Sequence, residues 1–270
     1  MVTTAKSEAT RNALGPTLVK LAQAGLDIVC VDADLGFSTT AVKFGQAFPD
    51  RFFPVGVAEQ NMVGVAAGLA ATGKIAFCSS FGVFAPGHCF DQLRMAVAQP
   101  KTNVKLVASH GGVVTGEDGA SAEALEDITL MLAMPTFNVI FPADYIEAEQ
   151  AIEAAARTDG PFYIRTLRPK TPIIYDESYR FELGKWSMLR RGNDVTLIAC
   201  GELVTAALKA SDLLAADGIR ARVLNASSFR PMDKGALLAA AAETGAIVTA
   251  EDHFVLGGLG SLVAMTLAEE

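Results

Sequence analysis

Short apolar runs alternate with amphipathic stretches along the whole chain, and this alternation limits the possible fold more than any other feature. Asp27–Val31, Ile75–Ser79, Val104–Ala108, Phe137–Phe141 and Phe162–Arg165 read as buried strands. Between and around them lie the helix-like segments Thr3–Ala24, Ser38–Phe48, Glu59–Ala71, Phe90–Ala98, Ala120–Ala133 and Asp144–Arg157. Strands that are apolar on both sides, alternating with helices, imply a parallel sheet covered on both faces. A polar, aromatic stretch over Thr171–Arg191 interrupts the pattern and reads as a linker with a short strand or hairpin. The pattern resumes with strands at Val195–Ala199, Ile219–Leu224 and Ile247–Ala250, a helix at Leu203–Ala216 and a last helix near Gly257. The expected architecture is α/β with two doubly wound units. A parallel-sheet unit spans 1–173, a linker 174–191, and a smaller α/β unit 192–270.

Composition narrows the partners. Of 270 residues, 51% are hydrophobic and 19% charged, enough to build a packed core. A net charge of −8 argues against nucleic acid or an anionic membrane as a general partner. It leaves room for a phosphorylated ligand in a local basic pocket. Cys30, Cys78, Cys89 and Cys200 are scattered without metal-like pairing, as expected of reduced thiols in a cytoplasmic protein. The first dozen residues are polar and lack a signal-like apolar core. The apolar tract Met62–Ala71 is too short to span a bilayer.

Ligands of such sheets bind beyond the carboxyl ends of the strands. Several unusual residues fall there, and each has a plain reading beside a chemical one. Glu59 opens a helix rich in Gly, Ala and Val. It is either a first-turn acid favoured by the helix dipole or a carboxyl in an apolar pocket, suited to proton relay. Phe81 and Phe84, three apart after a strand, are either ordinary core or a platform for a flat heteroaromatic ring. Ser109-His110-Gly111-Gly112 and Thr115-Gly116-Glu117-Asp118-Gly119 are either a surface loop or a close approach to a ligand. A helix beginning near Ala120 would add free N–H groups for an anion. Arg11, Arg165, Arg168 and Lys170 are either solvated cations or phosphate ligands, for which Arg is the better residue. Gly257-Gly258-Leu259-Gly260-Ser261 lacks the spacing of a nucleotide loop, and Asp252-His253 before it reads as a capping or an interface pair.

Seven motifs then fall into an order that resembles transketolase. They are Ala9-Thr10-Arg11; Asp32-Ala33-Asp34 with Ser38-Thr39; Val57-Ala58-Glu59-Gln60-Asn61-Met62; Ser79-Ser80-Phe81 with Phe90-Asp91-Gln92; Ser109-His110-Gly111; Gly116-Glu117-Asp118-Gly119; and Ile164-Arg165-Thr166-Leu167-Arg168-Pro169. The chain is similar to the C-terminal subunit of a split, two-chain transketolase. The resemblance implies thiamine diphosphate as cofactor, with Glu59 catalytic at N1′ of its aminopyrimidine and Phe81, Phe84 and Asp34 in the cofactor pocket. It implies that Arg11, Ser38, His110 and Arg168 hold a substrate phosphate and that Asp118 contacts sugar hydroxyls. Three departures matter. Ala122 stands where relatives often carry Gln or His. Glu270 follows soon after a helix has begun, whereas the family's third domain adds further strands and a helix, so the expectation is a shortened C-terminal unit. The Gly-Asp-Gly motif with an Asn about 30 residues on, which holds the diphosphate and its metal, is absent. No metal ligand is therefore assigned in this chain. The Mg2+ or Ca2+ belongs to an N-terminal partner subunit, in an assembly expected to be a homodimer of heterodimers acting on sugar phosphates. The alternatives are a deoxyxylulose-phosphate synthase, a 2-oxoacid dehydrogenase β subunit and a non-catalytic partner subunit.

Overall fold

The computed structural model describes residues 6–270. Its strands in chain order are β1 Ser7–Ala9, β2 Ile28–Asp32, β3 Phe52–Pro54, β4 Ile75–Phe81, β5 Val104–Ser109, β6 Asn138–Ile140, β7 Phe162–Arg165, β8 Lys170–Pro172, β9 Ser187–Arg190, β10 Val195–Ala199, β11 Ala221–Asn225, β12 Ser228–Arg230 and β13 Ile247–Ala250. Seven of them form one sheet in the order β12-β6-β7-β5-β4-β2-β3. All neighbours in it run parallel except β12, which lies antiparallel on β6. A second sheet has the order β13-β10-β11-β9, with only β9 antiparallel. The fold is mixed α/β, with a larger parallel-sheet unit and a smaller α/β unit.

The strand chemistry explains the two covered faces. Along β2, Val29 and Val31 point into one core with Met62, Val63, Leu93, Leu106 and Phe137. Ile28 and Cys30 point into the other, with Leu14, Leu18, Phe44, Phe77, Ile152 and Ile164. Alternate residues of one strand thus serve opposite layers, which is why the run has no polar side. The helix Glu59–Ala71 covers the first face. Leu14–Gln23 and Tyr145–Arg157 cover the second, the latter capped by Asp144, whose Oδ1 accepts the Glu147 N–H at 2.8 Å. Oδ2 of the same Asp144 accepts the Ile174 and Tyr175 N–H groups, so the helix cap also fastens the linker. The four cysteines are free and buried. Among the described residues no helix is long and apolar enough to cross a membrane.

The structure corrects several elements. The expected helix Thr3–Ala24 begins only at Leu14; Ser7–Ala9 pairs with β8 instead, Thr10–Ala13 is a 3-10 turn, and residues 3–5 lie outside the described residues. Ser38–Phe48 is broken at Thr40, whose φ of 67° no helix accepts. Phe90–Ala98 starts as a short α-turn and widens into a π-turn from Leu93. The helix expected from Ala120 starts at Asp127. Residues before it are drawn into a bridge between Gly111 and Ala124, leaving a single 3-10 turn at Ala120–Ala122. The helix N-terminus expected to face an anion there does not exist. β3, β12 and the helix Lys234–Glu243 are additions to the expected elements.

Candidate functional site

The carboxyl ends of β2, β4, β5 and β7 open on one edge of the large sheet, and most of the singled-out residues gather there. Glu59 sits in the first turn of its helix and is 7% exposed. Its Oε2 stands 3.6 Å from Nδ1 of His88, too long for a hydrogen bond. His88 is an exposed residue that sequence reasoning missed; it follows Gly87 in a loop with no periodicity. Its ring lies 5.4 Å from that of Phe84, and Phe84 stacks at 5.8 Å on Phe81, tilted by only 12°. Both phenylalanines are half-buried, so they keep apolar area available to a ligand.

Phe81 ends β4, and its ring stacks on His110 at 3.6 Å. His110 follows β5 with a φ of 61°, a left-handed conformation that costs a residue with a Cβ and is common at functional sites. Its Nδ1 is 2.8 Å from Ser109 Oγ and its Nε2 3.4 Å from Asp118 Oδ2. Arg168, just beyond β7, places Nε 3.0 Å from Asp118 Oδ2 and Nη2 2.9 Å from Glu117 Oε1. Arg11 donates through Nη1 to the Ser38 carbonyl at 3.0 Å, while its Nε is buried without a partner. A run of contacts thus leads from Glu59 through His88, Phe84, Phe81, His110 and Asp118 to Arg168. Arg11, held to Ser38, feels the charges of Arg168 and Asp118.

Asp34 stands apart from that run. It is exposed, with a φ of 65°, on the turn between β2 and the short helix that carries Ser38. Ala122 is buried and presents no polar atom. Arg165 is not on the open edge: it is wholly buried, with Nε 3.6 Å from Asp127 Oδ2 and its guanidinium over the Phe141 ring. Lys170 lies exposed in β8, where it pairs with Ala9 of β1. Among the described residues no group of three or more His, Cys, Asp or Glu side chains could hold a metal ion.

Burial, then repulsion from Arg11, brings the His110 ring down to about 4, with Asp118 opposing and Arg168 assisting. The ring is therefore neutral at pH 7, one nitrogen a donor and the other an acceptor. In the unfolded chain it titrates at about 6.5, so between pH 6.5 and 4 the unfolded state holds a proton that the folded state refuses. Stability is full above 6.5 and falls as pH drops towards 4. Wild-type protein is expected to lose about 2 kcal/mol more than His110→Gln between pH 7 and pH 5. Urea midpoints at the two pH values check this, and parallel losses in the two proteins contradict it.

Comparisons with known proteins show the family. A family model described as the transketolase pyrimidine binding domain matches residues 6–173, and one for the transketolase C-terminal domain matches residues 184–270. The chain is 45% identical over 260 residues to a putative transketolase C-terminal section of Methanocaldococcus jannaschii, covering 96% of this chain and 81% of that protein. It is 44% identical over 252 residues to the 6-deoxy-6-sulfo-D-fructose transketolase subunit SqwH of a Clostridium species, covering 93% of this chain and 78% of that one. A solved structure described as a split gene transketolase, inactive beta4 tetramer, superposes with a TM-score of 0.91 at 45% identity, over 98% of this chain and 87% of that one.

Proposed function

The chain belongs to the transketolase family, and from that premise we propose that it is the pyrimidine-side subunit of a two-chain transketolase, which moves a two-carbon ketol unit from a ketose phosphate to an aldose phosphate. The reading rests above all on the contact run from Glu59 to Arg168, which joins an acid and two aromatic rings to an arginine. We divide the chain functionally at 1–173, 174–191 and 192–270.

The family depends on thiamine diphosphate, and the residues present fit its aminopyrimidine end. Half-buried Phe81 and Phe84 offer apolar faces to a flat ring, and Glu59 offers a carboxyl whose neighbour His88 stands beyond hydrogen-bond reach. When bound, the cofactor supplies the electron sink and nucleophilic carbon for breaking the ketose carbon–carbon bond. Glu59 holds a proton against the ring nitrogen and so governs its basicity. Phe81 and Phe84 would keep water from that ring, and Asp34, exposed on the β2 turn, would add a polar contact to the cofactor. Arg11, Ser38, neutral His110 and Arg168 hold the substrate phosphate. Asp118, already paired with Arg168 and His110, turns its remaining acceptor capacity to the sugar hydroxyls.

The diphosphate and its Mg2+ or Ca2+ are assigned to an N-terminal partner subunit, with two copies of each chain in the assembly. Two relatives support a separate partner chain, one named a C-terminal section and one described as a split gene transketolase, inactive beta4 tetramer. Phe37 and Val57, exposed by 84% and 79%, stand beside Ser38 and Glu59, where a covering partner would bury them.

The test is co-production with a candidate N-terminal chain, assayed on xylulose 5-phosphate plus ribose 5-phosphate. Transfer is expected from the pair and none from this chain by itself. Decarboxylation of pyruvate in place of transfer would refute the proposal. Within the pair, Arg168→Ala is expected to raise KM for the phosphorylated donor about 10–100-fold, the worth of one lost charge-assisted hydrogen bond. An unphosphorylated donor should barely change, and equal loss on both contradicts the clamp. The Clostridium relative's named sugar carries a sulfonate, so a sulfosugar donor in the same assay shows which anion the clamp prefers.

A further inference from the structure

We infer that Asp252, in the C-terminal unit, is a positioning residue that sets where Asp118 and Arg168 stand and so governs affinity for the anionic end of the sugar; this rests on the reading of the clamp above. The loop that carries Asp118 leaves β5 at His110 and closes on itself, with Gly111 bridged to Ala124 and the Gly112 N–H donating to the Ala124 carbonyl at 2.8 Å. Its first turns are the 3-10 segment Val113–Asp118. The two leading N–H groups of that segment, from Val113 and Val114, donate to Oδ1 and Oδ2 of Asp252 at 3.0 Å each. One acid from a distant part of the chain thus satisfies both amides at the start of the turn, as a capping side chain does within a helix.

Three further observations fix the geometry. Gly112 has a φ of 84°, and a Cβ there would collide with the Asp252 carboxylate, so the close approach depends on glycine. Wholly buried Arg165 donates through one Nη2 to the Ala124 carbonyl at 3.0 Å and to the Asp252 carbonyl at 2.9 Å. The Phe254 N–H adds a bond to the Leu125 carbonyl at 2.9 Å. Residues 252–254 therefore hold both ends of the loop, and the free tip presents Glu117 and Asp118 to Arg168. Neighbouring Glu251 faces the other way and caps the last helix, accepting the Leu259 and Gly260 N–H groups at 2.6 and 2.9 Å. A 3-10 turn is short and weakly bonded, so losing the Asp252 carboxylate lets it unwind and carries Asp118 off its partners. Displacing a positioned group by about 1 Å costs up to about 10²-fold in a well-ordered site.

The test uses Asp252→Ala and Asp252→Asn, the latter keeping one acceptor oxygen. Inorganic phosphate is titrated into the full chain while the His110 ring signals are followed by NMR, and amide exchange is read at Val113 and Val114. Asp252→Ala is expected to weaken phosphate binding about tenfold and to speed exchange of those two amides, with the Glu59–Ala71 helix unchanged. Asp252→Asn should fall between it and wild type. In the two-chain enzyme, Asp252→Ala should raise KM for the phosphorylated donor about tenfold with kcat within about threefold. Wild-type phosphate affinity and KM in Asp252→Ala overturn the inference. So does a fall in kcat at constant KM, which marks a general packing defect. Wild-type protein whose His110 ring ignores phosphate overturns the clamp itself, and that separates the two failures.

Discussion

Exchange of Glu59 for glutamine is expected to lower turnover of the two-chain enzyme by about 10²–10⁴-fold, the usual worth of positioned acid–base help. Cofactor affinity should shift by less than about tenfold, because glutamine keeps a polar contact and a neutral hydrogen bond contributes only about 0.5–1.5 kcal/mol. The side chain is suited to this split. It is 7% exposed, it opens a helix whose preceding residue, Ala58, has no capping side chain, and His88 at 3.6 Å does not occupy it with a hydrogen bond. Glu59→Ala should lose as much turnover and somewhat more affinity. Steady-state kcat beside a cofactor titration by calorimetry checks both halves. Near wild-type turnover in either variant would remove the catalytic role, and a parallel collapse of affinity would make Glu59 a binding residue instead.

Arg165→Met is expected to cost about 3–5 kcal/mol of stability, the range for breaking a buried ion pair from one side. Its Nε lies 3.6 Å from Asp127 Oδ2, and both side chains are wholly buried. Asp127 also accepts the hydroxyl hydrogen bond of buried Tyr163, and the guanidinium sits 4.6 Å from the centroid of the Phe141 ring. Removing the cation leaves Asp127 charged in an apolar layer, with the Tyr163 hydroxyl its remaining partner. The urea midpoint measures the loss. The double variant Arg165→Met with Asp127→Leu should recover part of it, since the orphaned charge goes too. A single variant as stable as wild type would show that the pair contributes nothing.

The central strands were legible because a strand buried on both faces has to be apolar throughout. β2, β5 and β7 are close to runs of that kind: their polar residues are the terminal Asp32, Ser109 and Arg165 and, within β5, Lys105, whose Nζ reaches the Thr158 and Gly160 carbonyls at the layer's rim. β3 and β12 were not legible. Each has three residues, and Ser228-Phe229-Arg230 has no period; its strand state comes from β6, which is remote in sequence. The false helix before Asp127 has the same cause. Ala120–Ala133 has good helix formers, but a bridge from Gly111 to Ala124 takes its first residues. Pairing partners far along the chain overrode local preference.

The candidate site was legible only as an ordered set. Glu59, Phe81 and His110 each have a bland reading, and spacing by itself does not bring them together. The stack of Phe81 on His110 and the ion pair of Arg168 with Asp118 depend on strand order in the sheet, where β4, β5 and β7 are neighbours although long segments separate them in sequence. His88 carried no local signal. Asp252 stood open between a capping and an interface role; Glu251 took the cap, and Asp252 reaches across to Val113 and Val114.

The antiparallel strand β12 has a consequence for how the chain matures. It comes from the C-terminal half, yet it closes the outer rim of the first unit's sheet along β6. Until Arg230 has left the ribosome, one side of Asn138–Ile140 presents bare amides and carbonyls, the template on which unfinished sheets stick to one another. Long-range pairings of this sort also form late. Cutting the gene at the linker should therefore yield an N-terminal fragment that clumps. A cut after β12 seals that rim but strips β13 from β10, and so bares a fresh edge in the second sheet.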